Sequence, residues 1–311
     1  MLIRDSSIIA EALERGDLAL LDEFVFAQKR TVNRRQDYRS PLMLSAHNLK
    51  HINKIPDLQT DAIILNLEDG VSPQQKPFAL RLVMLALSSL RESDKKIIVR
   101  VNPLDEGGSE EIALLNAFRP DAIRVPKIRT AAEVSRALKL CDKEIELQLS
   151  IETKEAWLNL ADLKVSERVT VFYLGILDLF ADMGLSQSLI RTDNPLMHHI
   201  LSHFLLSCKA IGVKPVSFVY QEYKNVAGFE AWLALEKMMG FEAKGCISPQ
   251  QAEQLQKSFG PGDEERTRAE YIIRRFEEER AKGITGFSDE KYGFIDEPIY
   301  KGALALLRLH E

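Results

Sequence analysis

Short runs of consecutive apolar residues recur along this chain. Each is followed by a stretch in which apolar positions return at three- and four-residue steps. The runs are Pro41–His47, Ala62–Asp69, Lys96–Asn102, Ala122–Ile128, Glu146–Thr153, Val169–Asp178, Lys214–Tyr220 and Ala243–Ser248. Most are β-branched or leucine-rich without polar alternation, the pattern of strands covered on both faces of a parallel sheet. The intervening stretches Gln74–Arg91, Glu110–Phe118, Ala131–Cys141, Asn194–Ile211 and Tyr223–Met239 predict helices with one covered face. Strand and helix alternating in this way predict an α/β fold, a (β/α)₈ TIM barrel, with an open doubly wound sheet as the alternative.

The barrel is expected over residues 39–260. Residues 1–38 read as an N-terminal helical extension, with helices at Ser6–Glu14 and Leu18–Ala27 leading into the basic stretch Arg30–Arg35. Residues 261–311 read as a C-terminal helical segment. Its charged helix, Asp263–Lys282, is followed by the Gly-punctuated run GITGFSDEKYGFIDEP and an apolar helix, Ile299–Leu309.

The polar residues closing the predicted strands change the picture more than the strands do. His47 follows the first, Glu68 and Asp69 end the second, and Arg100 and Asn102 end the third. Lys127 ends the fourth, Glu152 the fifth and Asp178 the sixth. In a barrel these ends converge on one face with the following loops, where active sites are built.

Glu152 and Asp178 could supply two oxygen ligands to Mg²⁺, which keeps several waters or substrate oxygens. Each could equally sit at the start of the following helix. Glu68 and Asp69 could hold metal-bound waters, although Asp69-Gly70 is also a turn signal. Arg100, between two valines, needs an anionic partner, either a substrate oxyanion or Glu68. The run His198, His199 and His203 has a spacing that invites zinc, but no third ligand or HExxH base accompanies it, so it reads as a helix surface. Gly107–Gly108 lacks a phosphate-binding or dinucleotide pattern.

Composition narrows the class. The chain has 311 residues, 45% of them hydrophobic, enough for one large α/β domain. A net charge of −5 gives no electrostatic reason to expect nucleic acid as a partner. No apolar run is long enough to span a membrane, and the charged N-terminus argues against a signal peptide. Cys141, Cys208 and Cys246 are far apart, as in a reducing compartment, and a cytoplasmic enzyme is expected.

Taken in order, RSPLMLSAHN (39–48), LNLEDGVSPQQK (65–76), VRVNP (99–103), VPKI (125–128), IET (151–153), GILDLFADMG (175–184), KGCISPQQ (244–251) and FIDEP (294–298) resemble the HpcH/HpaI aldolase and citrate lyase β-subunit family. The resemblance implies a barrel of the pyruvate/phosphoenolpyruvate superfamily, a trimer or hexamer of identical subunits. It also implies Mg²⁺ as cofactor, held by Glu152 and Asp178, and Arg100 as the substrate-binding arginine. Glu68 and Asp69 match acids that hold metal-bound waters, and Lys127 is expected to contact the substrate. Asp296 matches a catalytic Asp that lyases of the family reach across a subunit boundary.

The implied chemistry is carbon–carbon cleavage or formation of a 3-hydroxyacyl thioester through an enolate. The partner is a small 2-oxo or 2-hydroxy acid, free or as a CoA or acyl-carrier thioester. Alternatives are an aldolase on free 2-oxo acids, a malyl-thioester thioesterase, and a non-catalytic barrel that binds a metal–acid complex. The chain departs from the family pattern at Asn66, where the first acid of LDLED is usual, at Leu177, usually an acid, and at Ser248, usually a histidine. SAHNLKHI replaces the glycine-arginine pattern after the first strand.

Overall fold

The computed structural model describes residues 2–27, 30–260 and 262–307, and these divide into two compact units, 1–258 and 259–311. The first unit opens with helices α1 (Ser6–Arg15) and α2 (Leu18–Phe24). It continues with β1 (Pro41–Ser45), α3 (Leu49–Asn53), β2 (Ala62–Asn66), α4 (Lys76–Ser89), β3 (Lys96–Arg100), α5 (Ser109–Leu115), β4 (Ala122–Val125), α6 (Ala131–Leu140), β5 (Glu146–Ile151) and α7 (Lys154–Leu158). It ends with β6 (Val169–Leu174), α8 (Ile176–Asp182), α9 (Pro195–Ala210), β7 (Lys214–Val216), α10 (Val226–Met239) and α11 (Pro249–Ser258).

The strands form a seven-stranded parallel sheet in the order β1 to β7, each beside its sequence neighbour. The eighth predicted strand, Ala243–Ser248, is reduced to two isolated parallel bridges, Leu42 with Cys246 and Ser217 with Lys244. Through them the segment hydrogen-bonds to both edge strands: Met43 N–H donates to the Cys246 carbonyl (2.9 Å) and Ser217 N–H to that of Ala243 (3.0 Å). Pro249 opens α11 immediately afterwards, so the run is too short for a regular ladder.

Every residue of β2, β3, β4 and β5 is buried, as the unbroken apolar runs require. Alternate positions (Ala62, Ile64, Ile98, Ala122, Val171, Tyr173 and Val216) pack into one cluster with Ala243 and Tyr38, so one face of the sheet curls round its own core. Continuing that period of two towards the strand ends puts Asn66, Arg100 and Arg124 on the same inner face. Registers Asn66↔Arg100 and Arg100↔Arg124 set them side by side. This is how the fold makes a polar site on an apolar scaffold.

The predicted strands are too long at their C-terminal ends. Asp178 does not end a strand; it lies in the first turn of α8, because β6 stops at Leu174 and Gly175 begins the turn into the helix. Lys127 lies two residues beyond β4, where Pro126 cannot donate to a ladder. His47 follows β1 in a turn, and the predicted strand after the histidine helix, Lys214–Tyr220, keeps only its first three residues.

The segment after α2 is held by buried contacts to the rest of the first unit. Arg30 pairs with Asp121 through two nitrogens, 2.6 and 2.8 Å, and donates through Nε to the Leu90 carbonyl (3.0 Å). Tyr38 is fully buried, with its hydroxyl 3.1 Å from that of Tyr173.

In the second unit, α12 (Asp263–Arg280) is followed by an antiparallel pair, β8 (Gly286–Asp289) with β9 (Gly293–Asp296), and by α13 (Glu297–Leu307). The Gly-punctuated run is therefore a hairpin that turns through 290–292 and opens its second strand at Gly293 with φ 76°. The predicted helix to Leu309 extends beyond the described residues at its last two positions. Phe276 stacks on Tyr300 at 4.4 Å in this unit's own apolar cluster. Among the described residues no helix is long and apolar enough to cross a membrane.

Candidate active site

Four strand ends of the first unit supply charged side chains to one locality. Glu152, directly after β5, is 3% exposed. Its Oε1 accepts a hydrogen bond from the Lys127 backbone N–H at 2.8 Å and lies 3.9 Å from Lys127 Nζ. The same Nζ is 2.6 Å from Asp178 Oδ1. One ammonium therefore bridges the two carboxylates.

Lys127 reaches this position with φ 53°, the left-handed region that side chains with a Cβ avoid. Holding it there costs about 1–2 kcal/mol, offset by the N–H bond to Glu152. Burial pulls the Lys127 ammonium towards neutrality, but Glu152 and Asp178 outweigh it and leave its pKa raised. Gly175 makes the opposite wall. A Cβ built there would lie 2.6 Å from Glu152 Cβ and 2.7 Å from Oε2, so no larger residue fits without moving the carboxylate.

Arg100 is 7% exposed and holds two partners. Its Nε donates to Asn66 Oδ1 (2.7 Å), and Nη1 is 2.8 Å from Glu68 Oε2. Asn66 Oδ1 also accepts from the Glu68 N–H (3.1 Å), and its amide donates to the Asp69 carbonyl (2.6 Å). An amide at this position both accepts and donates, which a carboxylate could not. Burial pushes the Glu68 carboxyl up to about 7 against the pull of Arg100, and the charges of Glu152 and Asp69 act in the same direction.

Of these groups Arg100, Glu152, Gly175 and Asp178 border a cavity of about 290 Å³, which Met43, Arg124 and Phe218 also line. Asp69 lines it too, and also borders a second cavity of about 480 Å³ with Glu68, Lys76, Asn102 and Lys127. A larger cavity of about 580 Å³ is lined by the N-terminal helices and the end of α4 that leads into the start of β3. The carboxylate cluster has no part in it.

The donor set fits a hard divalent cation. Glu152 and Asp178 already converge on one positive charge, and among the described residues no group of three or more His, Cys, Asp or Glu is placed to bind a metal. Two carboxylates with the other positions left to water or ligand oxygens is a Mg²⁺ pattern, not a zinc cage.

Of the predicted residues, Glu68, Arg100, Lys127, Glu152 and Asp178 form this cluster, and Asp69 lines the same cavity. Asp296 belongs to the second unit, where its Oδ1 accepts the Ile299 N–H (3.2 Å) at the start of α13. His199 and His203 stack at 6.0 Å, and His203 lies 5.1 Å from Trp157. Ser248 Oγ accepts the Gln251 N–H at 3.2 Å, a capping contact in α11. The sequence reading missed Arg124. Its signal was that of Arg100, a charge inside a buried apolar strand, AIRV.

The family model for HpcH/HpaI aldolase/citrate lyase matches residues 39–249. The (3S)-malyl-CoA thioesterase of Cereibacter sphaeroides is 31% identical over 247 residues, 79% of this chain and 85% of that protein. The human mitochondrial citramalyl-CoA lyase is 26% identical over 286 residues, 85% and 83% of the two. The crystal structure of the protein CitE from Mycobacterium tuberculosis, in complex with magnesium, acetoacetate and coenzyme A, superposes with a TM-score of 0.68 at 24% identity, covering 87% of this chain and 97% of that one.

Proposed function

The chain belongs to the HpcH/HpaI aldolase/citrate lyase family, and on that premise we propose that it is a Mg²⁺-dependent carbon–carbon lyase acting on a 3-hydroxyacyl thioester. The reading includes closure of the curled sheet as an eight-membered barrel through residues 243–246. It also includes assembly as a homo-oligomer. The observation that carries the functional reading is the convergence of Glu152 and Asp178 on one cation, beside Arg100, at the wall of a small cavity.

Glu152 and Asp178 would hold Mg²⁺, which when bound supplies a template for a 2-oxo acid and a Lewis acid. Arg100 is fixed by Asn66 and Glu68, which leaves its second terminal nitrogen to stabilise negative charge developing on an enolate oxygen. Lys127, poised between the carboxylates, would leave them to the metal and orient the acid. Asp296, supplied by a neighbouring copy, carries the proton between the 3-hydroxyl and the enolate carbon. Cleavage then breaks the bond between the hydroxyl-bearing carbon and the thioester's α-carbon, giving a 2-oxo acid and an acyl thioester.

A thioesterase acting on a malyl-type thioester is the second reading, favoured by the 31% identical relative that bears that name. In that case water enters and the thiol leaves.

The test is calorimetric titration of Mg²⁺ with pyruvate, oxaloacetate or glyoxylate present, for wild type and Asp178→Ala. Acid binding that needs both metal and Asp178 is expected, and its absence in wild type would remove the reading. Product analysis with malyl- and citramalyl-CoA separates the two activities: a lyase releases a 2-oxo acid and a shorter thioester, a thioesterase the free thiol.

A further inference from the structure

The buried cations of the first unit follow a rule with one exception. Arg30 sits 2.6 Å from Asp121, Lys96 2.8 Å from Glu146, Arg100 2.8 Å from Glu68 and Lys244 2.7 Å from Glu236. Arg124 is as deeply buried, 5% exposed, and among the described residues has no carboxylate within ion-pair distance. Its Nε donates to Ser150 Oγ (2.9 Å) and its guanidinium carbon lies 4.0 Å over the Tyr173 ring. Among the described residues no protein acceptor takes its two terminal nitrogens.

A guanidinium withdrawn from water without a counterion is costly. Burial, followed by repulsion from Arg100, lowers its pKa from 12.5 to about 10, which leaves it charged at neutral pH. The stacked ring and the Ser150 bond fix its plane, so its free edge has a set direction. It lines the 290 Å³ cavity together with Arg100, Glu152 and Asp178.

We propose that Arg124 is a specificity residue that binds a second carboxylate on the acid held at Glu152 and Asp178, so that the site selects dicarboxylic over monocarboxylic 2-oxo and 2-hydroxy acids. The planar fork matches a carboxylate through two parallel N–H···O bonds. A ligand with one carboxylate towards the metal position and another at Arg124 completes the ion pair that the protein lacks. The inference rests on the functional reading above and adds to it the residue that reads the far end of the substrate.

The test compares malate with lactate, which differ by that one carboxylate, titrated calorimetrically in saturating Mg²⁺ against wild type, Arg124→Met and Arg124→Lys. Wild type is expected to bind malate at least tenfold more tightly than lactate. Arg124→Met should lose about tenfold for malate and stay within twofold for lactate, with Arg124→Lys in between. Equal affinity of wild type for the two acids would overturn the assignment, and this arm does not depend on any variant folding. Equal loss of both acids in Arg124→Met would overturn it too, reducing Arg124 to a residue that shapes the cavity. 3-Phosphoglycerate binding more tightly than malate would overturn the carboxylate in favour of a phosphate. If wild type binds neither acid in a metal-dependent way, the metal–acid reading itself fails. Metal-dependent binding without preference fails the Arg124 assignment alone.

Discussion

Replacing Lys127 by methionine should tighten Mg²⁺ binding. The Lys127 ammonium occupies the point on which Glu152 and Asp178 converge, 2.6 Å from one carboxylate and 3.9 Å from the other. A divalent ion taking those oxygens must expel a like charge. Two unit charges about 4 Å apart interact by about 4 kcal/mol at an effective dielectric of about 20. The Lys127 side chain is 30% and that of Asp178 45% exposed, so the ammonium can swing towards solvent and screening discounts the figure. About 1–2 kcal/mol remains, roughly a tenfold gain in Mg²⁺ affinity. Methionine keeps the length of the stem, and the backbone N–H bond to Glu152 is untouched by the change. The assay is calorimetric titration of Mg²⁺ without any acid, at two ionic strengths. The metal-free variant should also be less stable than wild type, because two carboxylates then face each other unneutralised, and saturating Mg²⁺ should restore much of the loss. Unchanged or weaker Mg²⁺ affinity in Lys127→Met, with the fold intact by circular dichroism, would refute the reasoning and place the metal elsewhere.

Gly175→Ala should displace Glu152, since the new Cβ would meet its side chain at 2.6 Å; a stability loss of about 1–3 kcal/mol and weaker Mg²⁺ binding are expected, from urea unfolding and titration. Glu68, with its carboxyl pushed up to about 7 by burial, binds a proton more readily folded than unfolded. Its contribution to stability is therefore complete below about 4.5 and lost as pH rises through about 7. Urea unfolding of metal-free wild type and Glu68→Gln at pH 4.5 and 8 should show the wild type losing ground to the variant as pH rises, by up to about 3 kcal/mol. A difference independent of pH would contradict it. Asp296→Ala should abolish turnover but leave Mg²⁺ affinity unchanged, with about 1 kcal/mol of stability lost through the α13 contact; retained turnover would remove Asp296 from the chemistry.

What the sequence determined by itself was local and periodic. Unbroken runs such as AIILN and KIIVR read as strands buried on both faces, and they are. Polar residues closing those runs marked Glu68, Arg100 and Glu152, and the structure brings the three together, because the period of two carries a strand's inner face out to its end. Asp178 was found as a residue but put on the wrong element, since GILDLF is apolar enough to read as a continued strand and only the turn at Gly175 ends it.

The tertiary structure alone decided what touches what. The bond from Asn66 to Arg100, the left-handed turn at Lys127 that brings its amide to Glu152, and the closeness of Gly175 to that carboxylate join residues from 23 to 34 positions apart. Their geometry follows from strand register, which no short window of sequence encodes. The same holds for Arg124. Its charge is plain in AIRV, but that no carboxylate of the described residues comes within ion-pair distance of it emerges only when every neighbouring strand is in place.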